Sequence, residues 1–134
     1  MTPPPPLQPD DPKAWLRRAQ SNLAYARHEV EGVLYEDRCF NAQQAVEKSL
    51  KALLLHHRVT FPFTHDIAVL LTLVETHVKP VPQPLRSSAA LTDYAVSTRY
   101  PGVAEPVTRA EYLQAVDVAA AVVAWVSEQL AKPS

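Results

Sequence analysis

The stretch FNAQQAVEKSLKALLLHH, Phe40 to His57, contains neither glycine nor proline. Strong helix formers fill it, so a long helix is the conformation it favours. Across the whole chain there are only two glycines, and alternating β-branched runs are scarce. Both features argue against a sheet.

Other helices follow from start and stop signals. The first opens at DDPKAW, where Asp10 or Asp11 can cap and Pro12 suits the first turn. Trp15, Ala19, Leu23, Ala26 and Val30 then share one side, and Gly32 marks the end or a turn soon after it. The second runs from about Tyr35 to Arg58, because Pro62 disfavours helix at Phe61. The third begins near Thr64 or Asp66, carries Ile67, Leu70, Leu71 and Val74 on its apolar stripe, and stops at KPVPQP. A fourth, from about Pro84 to Thr98, has the weakest pattern. The fifth opens with Thr108 and Glu111 at the spacing of a capping box. Together these predict an all-α, antiparallel up-and-down bundle of four to five helices, residues 11–131, behind a disordered proline-rich leader, residues 1–10.

With 13 basic and 14 acidic residues the chain has no overall attraction for nucleic acid. Cys39 is the only cysteine, which excludes an intramolecular disulfide and fits a reducing cytoplasm. No apolar run approaches the ~20 residues of a membrane span, and the leader is neither a signal nor a transit peptide. The expectation is a cytoplasmic protein without membrane attachment.

The central helix poses a chemical problem. With Leu50 at the middle of its buried face, Gln43 falls on that face beside Cys39, Val46, Leu53 and Leu54, and Glu47 sits at its edge. A buried amide without a partner costs about 1–3 kcal/mol. Either Gln43 ties to a neighbouring helix and Glu47 pairs with Lys51 one turn on, or this seam lines a cleft or subunit interface. Lys48 and Lys51 read as a solvated flank or, with Gln44, as a phosphate-contacting rim. Arg99 and Tyr100, at the end of the fourth helix, read as a dipole-complementing cation or as a phosphate ligand with a stacking ring. His65 and Asp66 stand at a helix start, where capping is the simpler role. His28, His56, His57 and His77 lack metal-ligand spacing, and two glycines cannot supply a phosphate-cradling loop. No metal or cofactor is expected.

The motifs AQQAVEKSLKALL, THDI and RYP, in that order and spacing, resemble the HEPN domain family of bacteria and archaea. The likeness extends from AQSNLAYA to the last helix. It implies a small helical bundle similar to the substrate-binding domain of kanamycin nucleotidyltransferase, and commonly a homodimer. It further implies a nucleotide- or substrate-binding subunit acting with a separate minimal nucleotidyltransferase, sometimes as a toxin–antitoxin pair. Some members are metal-independent ribonucleases with an Arg followed a few residues later by a His on a late helix. Arg58 and His65 have that spacing but straddle the loop containing Pro62, and no histidine follows His77 to serve Arg99. The pattern therefore points to a binding subunit for a nucleotide or RNA ligand, with a ribonuclease as the alternative.

Overall fold

The computed structural model describes residues 11–95 and 106–133. Among them are four α-helices, α1 (Pro12–Arg27), α2 (Tyr35–His56), α3 (Ile67–His77) and α4 (Arg109–Leu130), with a 3-10 helix, Gln83–Ala95, between the last two. No strand occurs among the described residues. The proposed leader, residues 1–10, lies outside them.

The caps form where the side-chain chemistry places them. Asp11 accepts the Lys13 N–H at 3.0 Å, with Pro12 in the first turn. Asp66 accepts the Ala68 N–H at 3.0 Å. Thr108 and Glu111 close a full capping box. Helix α1 ends earlier than its stripe implies, because His28 turns extended; Val30 is therefore outside the helix and 43% exposed.

Helix α2 is the central element. It buries Cys39, Gln43, Val46, Leu50, Leu53 and Leu54 on one side, and Ala42, Ala45, Ser49 and Ala52 on another. The second set, small residues at helical spacing, lets α1 and α4 pack closely on it. Helix α1 runs antiparallel to α2, with Asn22 opposite Asn41 and Trp15 beside Lys51. The loop 57–66 then carries the chain back, so α3 begins next to Gln43.

The fourth element differs from the expected α-helix. It is a 13-residue 3-10 helix ending at Ala95, and the predicted stretch beyond that lies outside the described residues. Its buried residues Leu85, Ser88 and Leu91 recur every third position, the period that aligns side chains in a 3-10 helix. The Ser87 and Ser88 hydroxyls donate to the carbonyls of Pro84 and Leu85, three residues back, in competition with an α ladder.

Helix α4 also corrects the sequence reading. It is long and apolar enough to cross a bilayer by length and composition alone, with a mean hydropathy of 1.2 over its window. Its apolar stripe, Tyr112, Ala115, Ala119, Val122 and Val126, is buried in the core.

Candidate functional site

A connected polar seam crosses the buried face of α2. Gln44 Nε2 donates to Gln43 Oε1 at 2.7 Å. Gln43 Nε2 in turn donates to Glu47 Oε1 at 3.0 Å and to the His65 carbonyl at 3.3 Å. Lys51 Nζ donates to Glu47 Oε2 at 2.9 Å, and His65 Nδ1 donates to Oε1 at 2.8 Å. The Glu47 side chain is only 4% exposed and yet charged. Burial pushes its pKa up, but hydrogen bonds from Lys51, Gln43 and His65 outweigh that and hold the carboxyl below the ordinary 4.5.

The contacts are of the first kind expected for this face, side chains tied to internal partners. Glu47 does pair with Lys51 one turn on, and Gln43 does reach outside its helix, though to the loop before α3 rather than to another helix. Lys51 is not on a solvated flank. It is buried, its ammonium 5.7 Å from the Trp15 ring centre and 5.9 Å from those of Phe61 and Phe63, a setting that favours a cation. Lys48 is half-buried and donates to Asn22 Oδ1 at 2.8 Å, while Asn22 donates to Asn41. Burial, with Arg18 nearby, lowers the Lys48 pKa. Gln44, Lys48 and Lys51 thus spend donors on protein acceptors rather than forming an open rim.

His65 is the outward-facing member of the seam. Its side chain is 55% exposed, and its ring meets Phe63 edge-on at 5.9 Å. Because the ionised Glu47 only accepts, Nδ1 carries the proton and Nε2 of the neutral ring is an acceptor. An imidazole so oriented can take a proton from a hydroxyl that reaches it. Capping of α3 falls to Asp66, not His65.

Arg58 has a different place. It has a φ of 58°, in the left-handed region. The Arg58 N–H donates to the Leu55 carbonyl at 3.0 Å and the Val59 N–H to the Leu54 carbonyl at 2.8 Å. This pair of bonds is a Schellman motif, so Arg58 occupies the position where glycine usually ends a helix. Its side chain makes no ion pair or hydrogen bond with another described residue. Arg99 and Tyr100 lie outside the described residues.

Histidines His28, His57 and His77 sit at helix C-terminal ends, and His56 Nε2 donates to the Lys132 carbonyl at 2.9 Å. Among the described residues no group of three or more His, Cys, Asp or Glu converges on a metal position.

Sequence reasoning missed Arg38. It is buried at the start of α2, where Nη2 donates to the Val30 carbonyl at 2.6 Å. The guanidinium lies 5.7 Å from the Tyr35 ring centre and 5.6 Å from that of Tyr112. A signal for it exists in the sequence: Arg38 heads the small-residue stripe Ala42, Ala45, Ser49 and Ala52.

The family model of the HEPN domain matches residues 12–129. No curated protein matches the chain. A solved structure of a Thermus thermophilus protein is similar at 36% identity and a TM-score of 0.76, covering 88% of this chain and 97% of its own. An archaeal HEPN homologue is similar at 26% identity and a TM-score of 0.72, with 90% and 98% covered. A HEPN domain protein of Thermotoga maritima shares the fold at 20% identity and a TM-score of 0.68, with 89% and 98% covered.

Proposed function

Because the chain belongs to the HEPN domain family, we propose that it is a non-catalytic, homodimeric binding subunit for a nucleotide or related substrate, acting with a separate minimal nucleotidyltransferase in the manner of a toxin–antitoxin pair. The observation that carries this reading is the use to which Arg58 and His65 are put. Arg58 closes α2 in a left-handed turn, and His65 is committed through Nδ1 to Glu47. The two residues that match the ribonuclease spacing are thus tied into separate local structures. A cytoplasmic location is part of this reading, since a lone, buried cysteine fits a reducing compartment.

A second reading rests on the same imidazole. A buried carboxylate that orients a half-exposed histidine is a known way to prepare a general base. Under that reading His65 Nε2 takes the proton from a ribose hydroxyl, and the chain cleaves RNA without a metal.

One experiment separates them. Purified chain is titrated with ATP and GTP by calorimetry and incubated with single-stranded and structured RNA. Saturable nucleotide binding with intact RNA supports the binding subunit. RNA cleavage that disappears in His65→Ala supports the ribonuclease and removes the first reading.

A further inference from the structure

The Arg38 end of the bundle carries a feature that the seam at Glu47 does not explain. A cleft of about 500 Å³ opens between the α1–α2 connection and the start of α4. Glu29, Glu31, Leu34, Glu36, Arg38 and Val107 contribute to its wall. Arg38 is only 4% exposed, and its Nε is buried without a hydrogen-bond partner among the described residues. A guanidinium never gives up its charge in a protein, so burial without a carboxylate is costly.

Two of the three carboxylates that line the cleft are engaged elsewhere, and the third, Glu31, is exposed. Glu29 pairs with Arg109 at 3.1 Å. Glu36 accepts the Val107 N–H at 3.0 Å. Arg38 forms no ion pair with any described residue; the Val30 carbonyl, the Tyr35 ring and the Tyr112 side chain answer its charge, and none of them is a carboxylate. Next to it, α2 begins at Leu34, whose side chain cannot cap the first-turn N–H groups. These N–H groups, which the N-cap side chain leaves uncapped, and the positive end of the helix dipole lie at the same end of α2 as the guanidinium.

We propose that this cleft binds a single oxyanion group, a carboxylate or a phosphate monoester, with Arg38 as its counter-charge and the α2 N-terminus as a second donor set. The Arg fork matches a planar two-oxygen group, and the helix start supplies further N–H donors. Exposed Glu31 on the rim keeps the total negative charge of the ligand low. This inference rests on Arg38 and the cleft, and stands whether or not the chain acts with a nucleotidyltransferase.

Nuclear magnetic resonance of the labelled full chain tests it. Acetate, inorganic phosphate and adenosine monophosphate are titrated separately at constant ionic strength, with chloride as reference. The expected result is saturable movement of the Tyr35 and Glu36 amide signals and of the Arg38 Nε–H signal. Saturation by acetate alone identifies a carboxylate ligand, and saturation by the phosphates alone identifies a phosphate ligand. Arg38→Lys keeps the charge but loses the fork, and should weaken binding at least tenfold. Glu31→Gln removes one exposed negative charge and should tighten it about twofold, the order of the Coulomb effect of one nearby charge in water. Non-saturating shifts equal to those with chloride overturn the proposal. So does unchanged affinity in a folded Arg38→Lys. Should that variant fail to fold, unchanged affinity in Glu31→Gln overturns it alone.

Discussion

His65 donates through Nδ1 to Oε1 of Glu47 across 2.8 Å, from a loop 18 residues further along the chain. The bond fastens the entry of α3 to the middle of α2. It also makes one buried carboxylate answer to a lysine, a histidine and a glutamine at once, and the stability of the seam should depend on all of them.

Glu47→Leu should destabilise the protein by about 3–5 kcal/mol, since it leaves the Lys51 ammonium buried without a counter-charge. Glu47→Gln retains shape and hydrogen-bonding capacity and should cost less. Lys51→Met alone should also be costly, whereas the double replacement Glu47→Leu with Lys51→Met should cost less than the sum of the two, because no unpaired charge is left buried; it should stay below wild type, since Gln43 and His65 still lose their acceptor. Urea denaturation of the four variants beside wild type measures this. Costs that simply add in the double variant would refute a coupled pair.

Gln43→Leu should cost about 1–3 kcal/mol, as it strands the His65 carbonyl and the Gln44 amide. A neutral or stabilising result in the same denaturation series would show that the amide is not needed for folding.

The Glu47 carboxyl is held below its ordinary pKa, so folding is favoured where that group is ionised. Its contribution is fully present above the ordinary, unfolded value of 4.5. It is lost as pH falls through the lower folded value. Unfolding free energy measured from pH 6 down to pH 3 should therefore fall, and Glu47→Gln should flatten that acid limb. An acid limb of the same slope in the variant would remove Glu47 as its source.

Arg58→Gly should stabilise the protein. A side chain in the left-handed region costs roughly 1–2 kcal/mol. Against this, glycine loses about 0.5–1 kcal/mol more on folding. The net gain should be near 0.5–1 kcal/mol by these two figures, seen as a raised midpoint in thermal melts. A lowered midpoint would mean that the Arg58 side chain holds something the turn does not reveal.

Much of this structure is legible in the residues themselves. The caps at Asp11, Asp66 and Thr108 are local chemistry, and local chemistry is readable from a few neighbours. The stripe around Leu50 and the Glu47–Lys51 pairing follow from helical spacing. What spacing cannot give is how many sides of a helix are covered. α2 is wrapped by α1, α3, α4 and the 3-10 helix, so Lys51 and the Ala42–Ala52 stripe are buried on faces that would be wet in a peripheral helix. Arg38 escapes sequence reasoning for the same reason. The fold of loop 57–66, which brings His65 to Glu47, depends on contacts far apart in sequence. The 3-10 helix is an intermediate case: its period of three is written in Leu85, Ser88 and Leu91, but a reading at the α-helical period of 3.6 passes over it.

That choice of winding sets a reach. Thirteen residues span about 26 Å at the 3-10 rise but only about 20 Å at the α rise. The segment returns the chain from the far end of α3 to the α2 N-terminal region, where Tyr94 meets the Cys39 thiol. It behaves as a strut cut to the longer length. Rewinding it as an α-helix would shorten it by roughly 6 Å, and the Tyr94 side chain would fall about one helical turn short of the Cys39 thiol to which it is now hydrogen-bonded.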